Sequence, residues 1–189
     1  MHLFKTAAAV IFALSLAAPV QARGLNPFSS SEETVAYAVE QSCLTWLRYG
    51  GNLKDYSKRN GRTVTQKGVL DEGDDKAEKL YGGGRVTVKS DGRGGCYIRG
   101  TLGNGADMRD TVLETLRTMG LEPVPFADYG PATRDRDWSY VQESYCVRDG
   151  EAVRIILISS SANRSRTPLQ VSIWTDRAGD AAKKGLCIA

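Results

Sequence analysis

The only histidine in the chain is His2, and it sits in a segment built to be removed. Lys5 gives a positive start. An apolar run follows from Ala7 to Ala18, and Pro19-Val20-Gln21-Ala22 places small residues at the two cleavage-setting positions. That is the pattern of a secretory signal peptide over 1–22, leaving a mature chain from Arg23 with no imidazole. A Ser-His-Asp triad, a Cys-His pair and a His-ligated metal are therefore not expected. A serine nucleophile would need a lysine base, and no Ser-x-x-Lys stands in a convincing setting.

Chemistry without histidine falls to arginine, carboxylate and hydroxyl groups. The segment Ser159-Ser160-Ser161-Ala162-Asn163-Arg164-Ser165-Arg166-Thr167 sets two arginines among hydroxyls. Guanidinium forks pair bidentately with carboxylates and phosphates, so Arg164 and Arg166, with Asn163 and Ser161, form a candidate anion grip. Arg134 and Arg136 would add to it if their loop converges on the first. The plainer reading is a hairpin loop whose arginines face water. Asn163-Arg164-Ser165 also matches a glycosylation acceptor. Trp174 is the candidate aromatic platform, whereas Trp46 and Trp138 read as core or sheet residues.

Two acidic constellations carry alternatives. Glu143 and Glu151, on expected hairpin partners, could run glycosidic chemistry without histidine; the plainer reading is surface charge. The run Asp71-Glu72-Gly73-Asp74-Asp75 could attract calcium. It departs from the EF-hand pattern at Gly73 and lacks the closing glutamate, so no metal site is assigned. Gly82-Gly83-Gly84 lacks the Lys-Ser/Thr of a phosphate loop. No cofactor is expected.

Cys43, Cys96, Cys146 and Cys187 are the four cysteines. An even, widely spaced set in an exported chain reads as disulfides, and four cysteines allow three connectivities. No CxxC occurs, which speaks against a zinc ribbon or a thioredoxin-type redox site.

The elements that must position these groups show in the periodicity. Ser29 with Glu32, or Ser30 with Glu33, can form a capping box. Val35, Ala36, Val39, Cys43 and Leu47 then follow at helical spacing, Trp46 borders that stripe, and Gly50-Gly51 ends the helix. Residues 52–84 read as irregular surface, with a short helix through Ala77 and Leu80. Val86 and Val88 alternate with Thr87 and Lys89, and Cys96-Tyr97-Ile98 returns as the second arm of a hairpin. Asp107 is the expected cap of a second helix carrying Met108, Val112, Leu116 and Met119, with Leu113 widening the stripe and Gly120 as its stop. Pro123, Pro125 and Pro131 should keep the next stretch out of regular structure. A meander closes the chain. Its strands are Trp138 to Val147, then Val153 to Ile158 (apolar on nearly both faces, hence central), then Leu169, Val171 and Ile173 alternating with Gln170, Ser172 and Trp174.

The order α-β-β-α-β-β-β predicts an α+β, two-layer fold, with a mainly antiparallel sheet of about five strands and two helices on one face. Order and face favour Cys43 with Cys96, tying the first helix to the first hairpin, and Cys146 with Cys187, tying the tail to the meander. Each would close a loop of roughly 40–55 residues, worth about 4 kcal/mol in the idealised chain-entropy model.

Bulk properties narrow the class. Residues 23–189 suit one domain that buries roughly 70% of its unfolded surface. Apolar residues make up 41% and charged residues 25%, which does not suggest disorder. Net charge is +3, less one when Lys5 leaves, with both signs interspersed. No basic run marks a nucleic-acid or membrane patch. No later apolar stretch approaches the ~20 residues of a membrane span. A periplasmic or secreted monomer is expected.

The cysteine in the first helix (Cys43), the strand start Gly94-Gly95-Cys96, and Ser159-Ser160-Ser161 leading to Pro168-Leu169-Gln170 resemble a family of small exported proteins of proteobacteria. The resemblance spans residues 33–174 and implies that the first two cysteines pair. It brings no activity to any residue and says nothing of Cys146 and Cys187. The sequence thus points to a non-catalytic binding or interaction module for an envelope component or protein partner. A histidine-free, carboxylate-dependent hydrolase is the alternative, and an inhibitor of an envelope hydrolase is a variant of the binding reading.

Overall fold

The first helix starts where its capping chemistry permits. Of the two possible boxes, Ser30 with Glu33 forms: Glu33 N–H donates to Ser30 Oγ at 3.1 Å and Ser30 N–H to Glu33 Oε2 at 3.1 Å. Three segments run on continuously, α1 (Ser31–Tyr37), a π-helical stretch (Ala38–Leu44) and α2 (Thr45–Tyr49). In the π stretch the hydrogen-bond step is i→i+5, as when Thr45 N–H reaches Glu40 O; Thr45 Oγ1 donates to the same carbonyl at 2.8 Å. The wider turn puts Ala38, Val39, Ser42, Cys43 and Leu44 all in the buried set, a broader band than 3.6-residue spacing predicts. Gly50, at φ +70°, ends the run, and Trp46 Nε1 donates to Gly51 O at 3.0 Å. A short α3 (Leu53–Ser57) follows.

This computed structural model describes residues 29–57, 63–66, 77–80, 86–91, 94–125, 141–161, 167–177, 179 and 187. The expected signal peptide, the acidic run 71–75, the triple glycine 82–84, and Arg134, Arg136 and Trp138 lie outside them.

The remaining elements are β1 (Thr63–Gln66), β2 (Ala77–Leu80), β3 (Val86–Ser90), β4 (Gly95–Gly100), α4 (Gly105–Thr118), β5 (Val124–Pro125), β6 (Val141–Asp149), β7 (Ala152–Ser160) and β8 (Leu169–Thr175). The class is α+β with an antiparallel sheet. Strand order is β1-β2-β3-β4-β8-β7-β6-β5, and every neighbouring pair is antiparallel.

Several expectations are corrected. Among the described residues the sheet has eight strands where about five were expected. Residues 63–66 and 77–80, read as irregular with a helical turn, pair as a hairpin that extends the β3 edge. Ala-Glu-Lys-Leu favours a helix locally, and pairing with β3 overrides that weak preference. Val124–Pro125 joins β6 despite its proline, because an edge strand can leave the missing N–H on its open side. Asn104, not Asp107, caps α4: its Oδ1 accepts from Ala106 N–H at 2.9 Å, and Asp107 lies in the first turn.

The main core lies between the helices and one sheet face. Val35, Val39, Met108, Val112 and Leu116 meet Val88, Ile98, Ile156, Ile158, Val171 and Ile173 there. A smaller cluster of Cys146, Cys187, Val153 and Ile155, with Val124 and Trp174 against it, covers one end of the opposite face. Both favoured disulfides form: Cys43–Cys96 spans 53 residues and Cys146–Cys187 spans 41. Among the described residues no helix is long and apolar enough to cross a membrane.

Among the described residues one charged side chain is buried in the helix-side layer. Arg154, 5% exposed, donates to Asp149 Oδ2 at 3.2 Å, to Thr175 Oγ1 and to Leu47 O at 3.3 Å. Arg48 Nε takes the other Asp149 oxygen at 2.7 Å. Asp149 therefore ties the end of the first helix to the β6–β7 hairpin. Its removal strands a buried guanidinium, so Asp149→Ala should lower stability by about 3 kcal/mol in urea denaturation.

Gly105 tests the other end of the same layer. A Cβ there would lie 2.2 Å from Pro168 O and 2.3 Å from Ser161 O, both backbone atoms. Gly105→Ala should therefore cost about 2 kcal/mol or more in the same assay, against the small gain expected at an open helical glycine.

Candidate functional site

Alternation along a strand sends successive side chains to opposite faces. Because Val86, Val88, Cys96, Ile98, Leu169, Val171 and Ile173 enter the helix-side core, their neighbours occupy the other face. The register then orders these neighbours into cross-strand rows. Lys89 stands opposite Tyr97, and Tyr97 opposite Ser172. Thr87 stands opposite Arg99, Arg99 opposite Gln170, and Gln170 opposite Ser159. In the third row Gly95 faces Trp174, which faces Ile155, which faces Cys146. The face is thus apolar at the Cys146–Cys187 end and polar at the other.

The polar part forms a basin of about 270 Å³ lined by Lys89, Asp91, Tyr97, Arg99, Gln170 and Ser172. Asp91 organises one rim. Its Oδ1 accepts from Gly95 N–H at 2.9 Å and its Oδ2 from the Tyr97 hydroxyl at 3.1 Å. Burial, and secondarily the Asp91 carboxylate, pushes the Tyr97 phenol above its ordinary value. Arg99 forms the opposite rim, donating from Nε at 3.1 Å and from Nη2 at 2.6 Å to Thr167 Oγ1.

Thr167 is the point of contact with the serine-arginine loop. Ser161 N–H donates to Pro168 O at 2.8 Å, closing the loop's neck beside Gly105 of α4. Ser161 itself is 1% exposed, so it belongs to this neck. Asn163, Arg164 and Arg166 lie outside the described residues. Trp174 stands on the sheet face away from the described helices, opposite Leu169, Val171 and Ile173 as its position in the alternation requires. It is half-buried against the Cys146–Cys187 cluster, at the apolar end. The structure therefore brings the loop's two stems to the rim of the basin, and sets Trp174 at the far side.

Lys89, Tyr97, Arg99, Gln170 and Ser172 were not singled out by sequence reasoning. Their alternation was visible strand by strand. What was missing was the adjacency of β4 and β8, which turns three polar half-faces into one surface.

The carboxylate pair is a correction. Glu143 stands opposite Ile158, and Glu151 lies in the turn beyond the Asp149–Ala152 pair. Six residues of strand, about 20 Å, separate Glu143 from that turn, so the two are neither cross-strand neighbours nor members of one cleft. Glu143 lies on the helix side, with Oε2 3.7 Å from Arg109 Nε. Arg109 also bonds Asp110 Oδ1 at 2.7 Å, and chiefly through that bond its guanidinium is held above its ordinary value. Burial first, then Glu143, raises the Tyr145 phenol likewise.

Both tyrosines keep their protons in the folded state at pH values where the unfolded chain releases them. Stability should then be complete below about pH 10 and fall as pH rises past it. Urea midpoints measured from about pH 8 to pH 11.5 should show the decline, and Tyr145→Phe should flatten it; equal slopes in both proteins would contradict the assignment.

No protein-family model, curated protein or solved structure matches this chain, so the functional reading rests on the chemistry of this face.

Proposed function

We propose that the protein is an exported, non-catalytic binding module of the bacterial envelope. The sheet face away from its described helices, together with the serine-arginine loop, holds an envelope component or protein partner bearing anionic and hydroxyl groups. The observation that carries the reading is the Arg99–Thr167 contact, which fastens the base of a loop containing Arg164 and Arg166 to the rim of a polar basin. Lys89 supplies a further cation, Gln170 and Ser172 supply neutral donors and acceptors, and the basin's one carboxylate, Asp91, accepts from Gly95 N–H and the Tyr97 hydroxyl. Guanidinium and ammonium groups around amide and hydroxyl groups suit a carboxylate- or phosphate-bearing ligand better than an apolar one.

Export is the second half of the proposal. Residues 1–22 carry the signal pattern, and two disulfides are compatible with an oxidising compartment. Periplasmic and secreted locations suit both equally. The resemblance to small exported proteobacterial proteins supports the same placement.

The test is native mass spectrometry on mature protein released gently from its own host's envelope. Its mass should begin at Arg23 and be four hydrogens short of the reduced chain, and an adduct or partner should be retained. Replacing both Arg164 and Arg166 with alanine should weaken the retained complex about tenfold or more, while the disulfides and circular dichroism stay unchanged. Unchanged binding would remove the loop from the proposal, and a mature chain still carrying residues 1–22 would remove export.

A further inference from the structure

A second surface lies on the other side of the sheet, on the outside of the helical layer. The helix beginning at Ser31 and α4 start side by side: a Cβ on Gly103, just before α4, would meet Ser31 Oγ at 2.7 Å. Between the two runs a groove of about 860 Å³. One wall repeats Glu32, Ala36 and Glu40 at four-residue spacing, and the other presents Asp107, Asp110 and Glu114. Ala36, Leu113 and Met119 give it apolar ground.

The charge balance of this groove is one-sided. Five carboxylates line it against a single guanidinium, that of Arg117, which already lies 3.7 Å from Glu114 and 4.0 Å from Glu122. Asp110 is taken by Arg109 at 2.7 Å. Glu32, Glu40 and Asp107 have no lysine or arginine within ion-pair reach among the described residues. Glu32 and Asp107 sit in first turns, where a helix N-terminus favours them. Glu40 and Glu114 lie well along their helices and gain nothing from that source. Like charges facing across a groove repel one another unless a cation enters.

We infer that this groove is a docking site for a basic amphipathic segment of a protein partner, with lysines or arginines set about four residues apart and apolar side chains between them. Asp110 and Glu114 stand four residues apart, about 6 Å, and Glu32 and Glu40 eight apart, about 12 Å, so cations repeated every four residues can meet one wall at each position and the other at every second one. The apolar ground would take its hydrophobic side chains, and the two walls its charges. This inference is independent of the sheet-face reading, because the two surfaces lie on opposite sides of the sheet.

The probe is a fluorescein-labelled 12-residue peptide of lysine and leucine with its lysines on one helical face, beside a matched peptide with glutamate for lysine. Fluorescence anisotropy on the full mature chain should show binding of the lysine peptide, weakened by added salt, and none of the glutamate peptide. Combining Asp107→Asn, Glu40→Gln and Glu114→Gln should weaken binding about tenfold or more, and Glu40→Gln alone should weaken it two- to threefold should the triple variant fail to fold. Backbone amide shifts should concentrate at Ala36, Leu113 and Met119. Equal affinity in the neutralised variant, or shifts centred on the sheet face, would overturn the assignment. A dimer by sedimentation that the neutral substitutions dissolve would overturn it too, since the groove's occupant would then be a second copy of the chain.

Discussion

Leu169–Thr175 is hydrogen-bonded on both edges, to β4 on one side and to β7 on the other. Those seven residues join the β1–β4 half of the sheet to the β5–β7 half. The two partners impose one register on them. Val171 has to lie opposite Ile98 and Ile158 at once, and Ile173 opposite Cys96 and Ile156. A slip by one residue would turn Leu169, Val171 and Ile173 away from the helices and bring Gln170 and Ser172 into the core. Hydrophobic burial of that single stripe, with the backbone bonds on both edges, therefore sets the alignment of the whole sheet.

The helical layer is fastened over this strand at points of different chemistry. Cys43 and Cys96 join the π-helical stretch to β4, and Asp149 joins the end of the same helix to the β6–β7 hairpin through Arg48 and Arg154. The first constrains the unfolded chain. The second depends on complete pairing, because a buried guanidinium tolerates no missing partner. The widened π turn brings Cys43 and Ser42 into the buried band together. At the opposite end Gly105 lets α4 approach the neck of the Ser161–Thr167 loop at backbone distance. The loop's stems are thus held by the same layer that holds the core.

Two surfaces of opposite character follow from this layering. The sheet face away from the described helices carries Lys89 and Arg99 together with the Asp91 carboxylate and neutral polar groups. The outer face of the helices carries five carboxylates. Sheet and helices lie between the two patches. The anionic ligand proposed for the basin and the basic segment proposed for the groove would therefore meet different faces.

What the sequence indicated alone was local or set by pattern: a capping box at Ser29 or Ser30, the stripe of the first helix, the β3–β4 hairpin, the closing meander and the favoured cysteine pairing. Each rests on spacing within one segment, or on two faces that alternation already defines. Tertiary structure decided the rest. Ala77–Leu80 became a strand because β3 offered an open edge, and Glu143 left Glu151 because the hairpin register set them far apart. The π turn was illegible, since the apolar residues of a helix satisfy 3.6-residue spacing whether or not one turn is widened. The basin was illegible for a stronger reason. Tyr97 and Ser172 are adjacent only because β8 returns beside β4, and no residue in either strand records which edge a distant strand will choose.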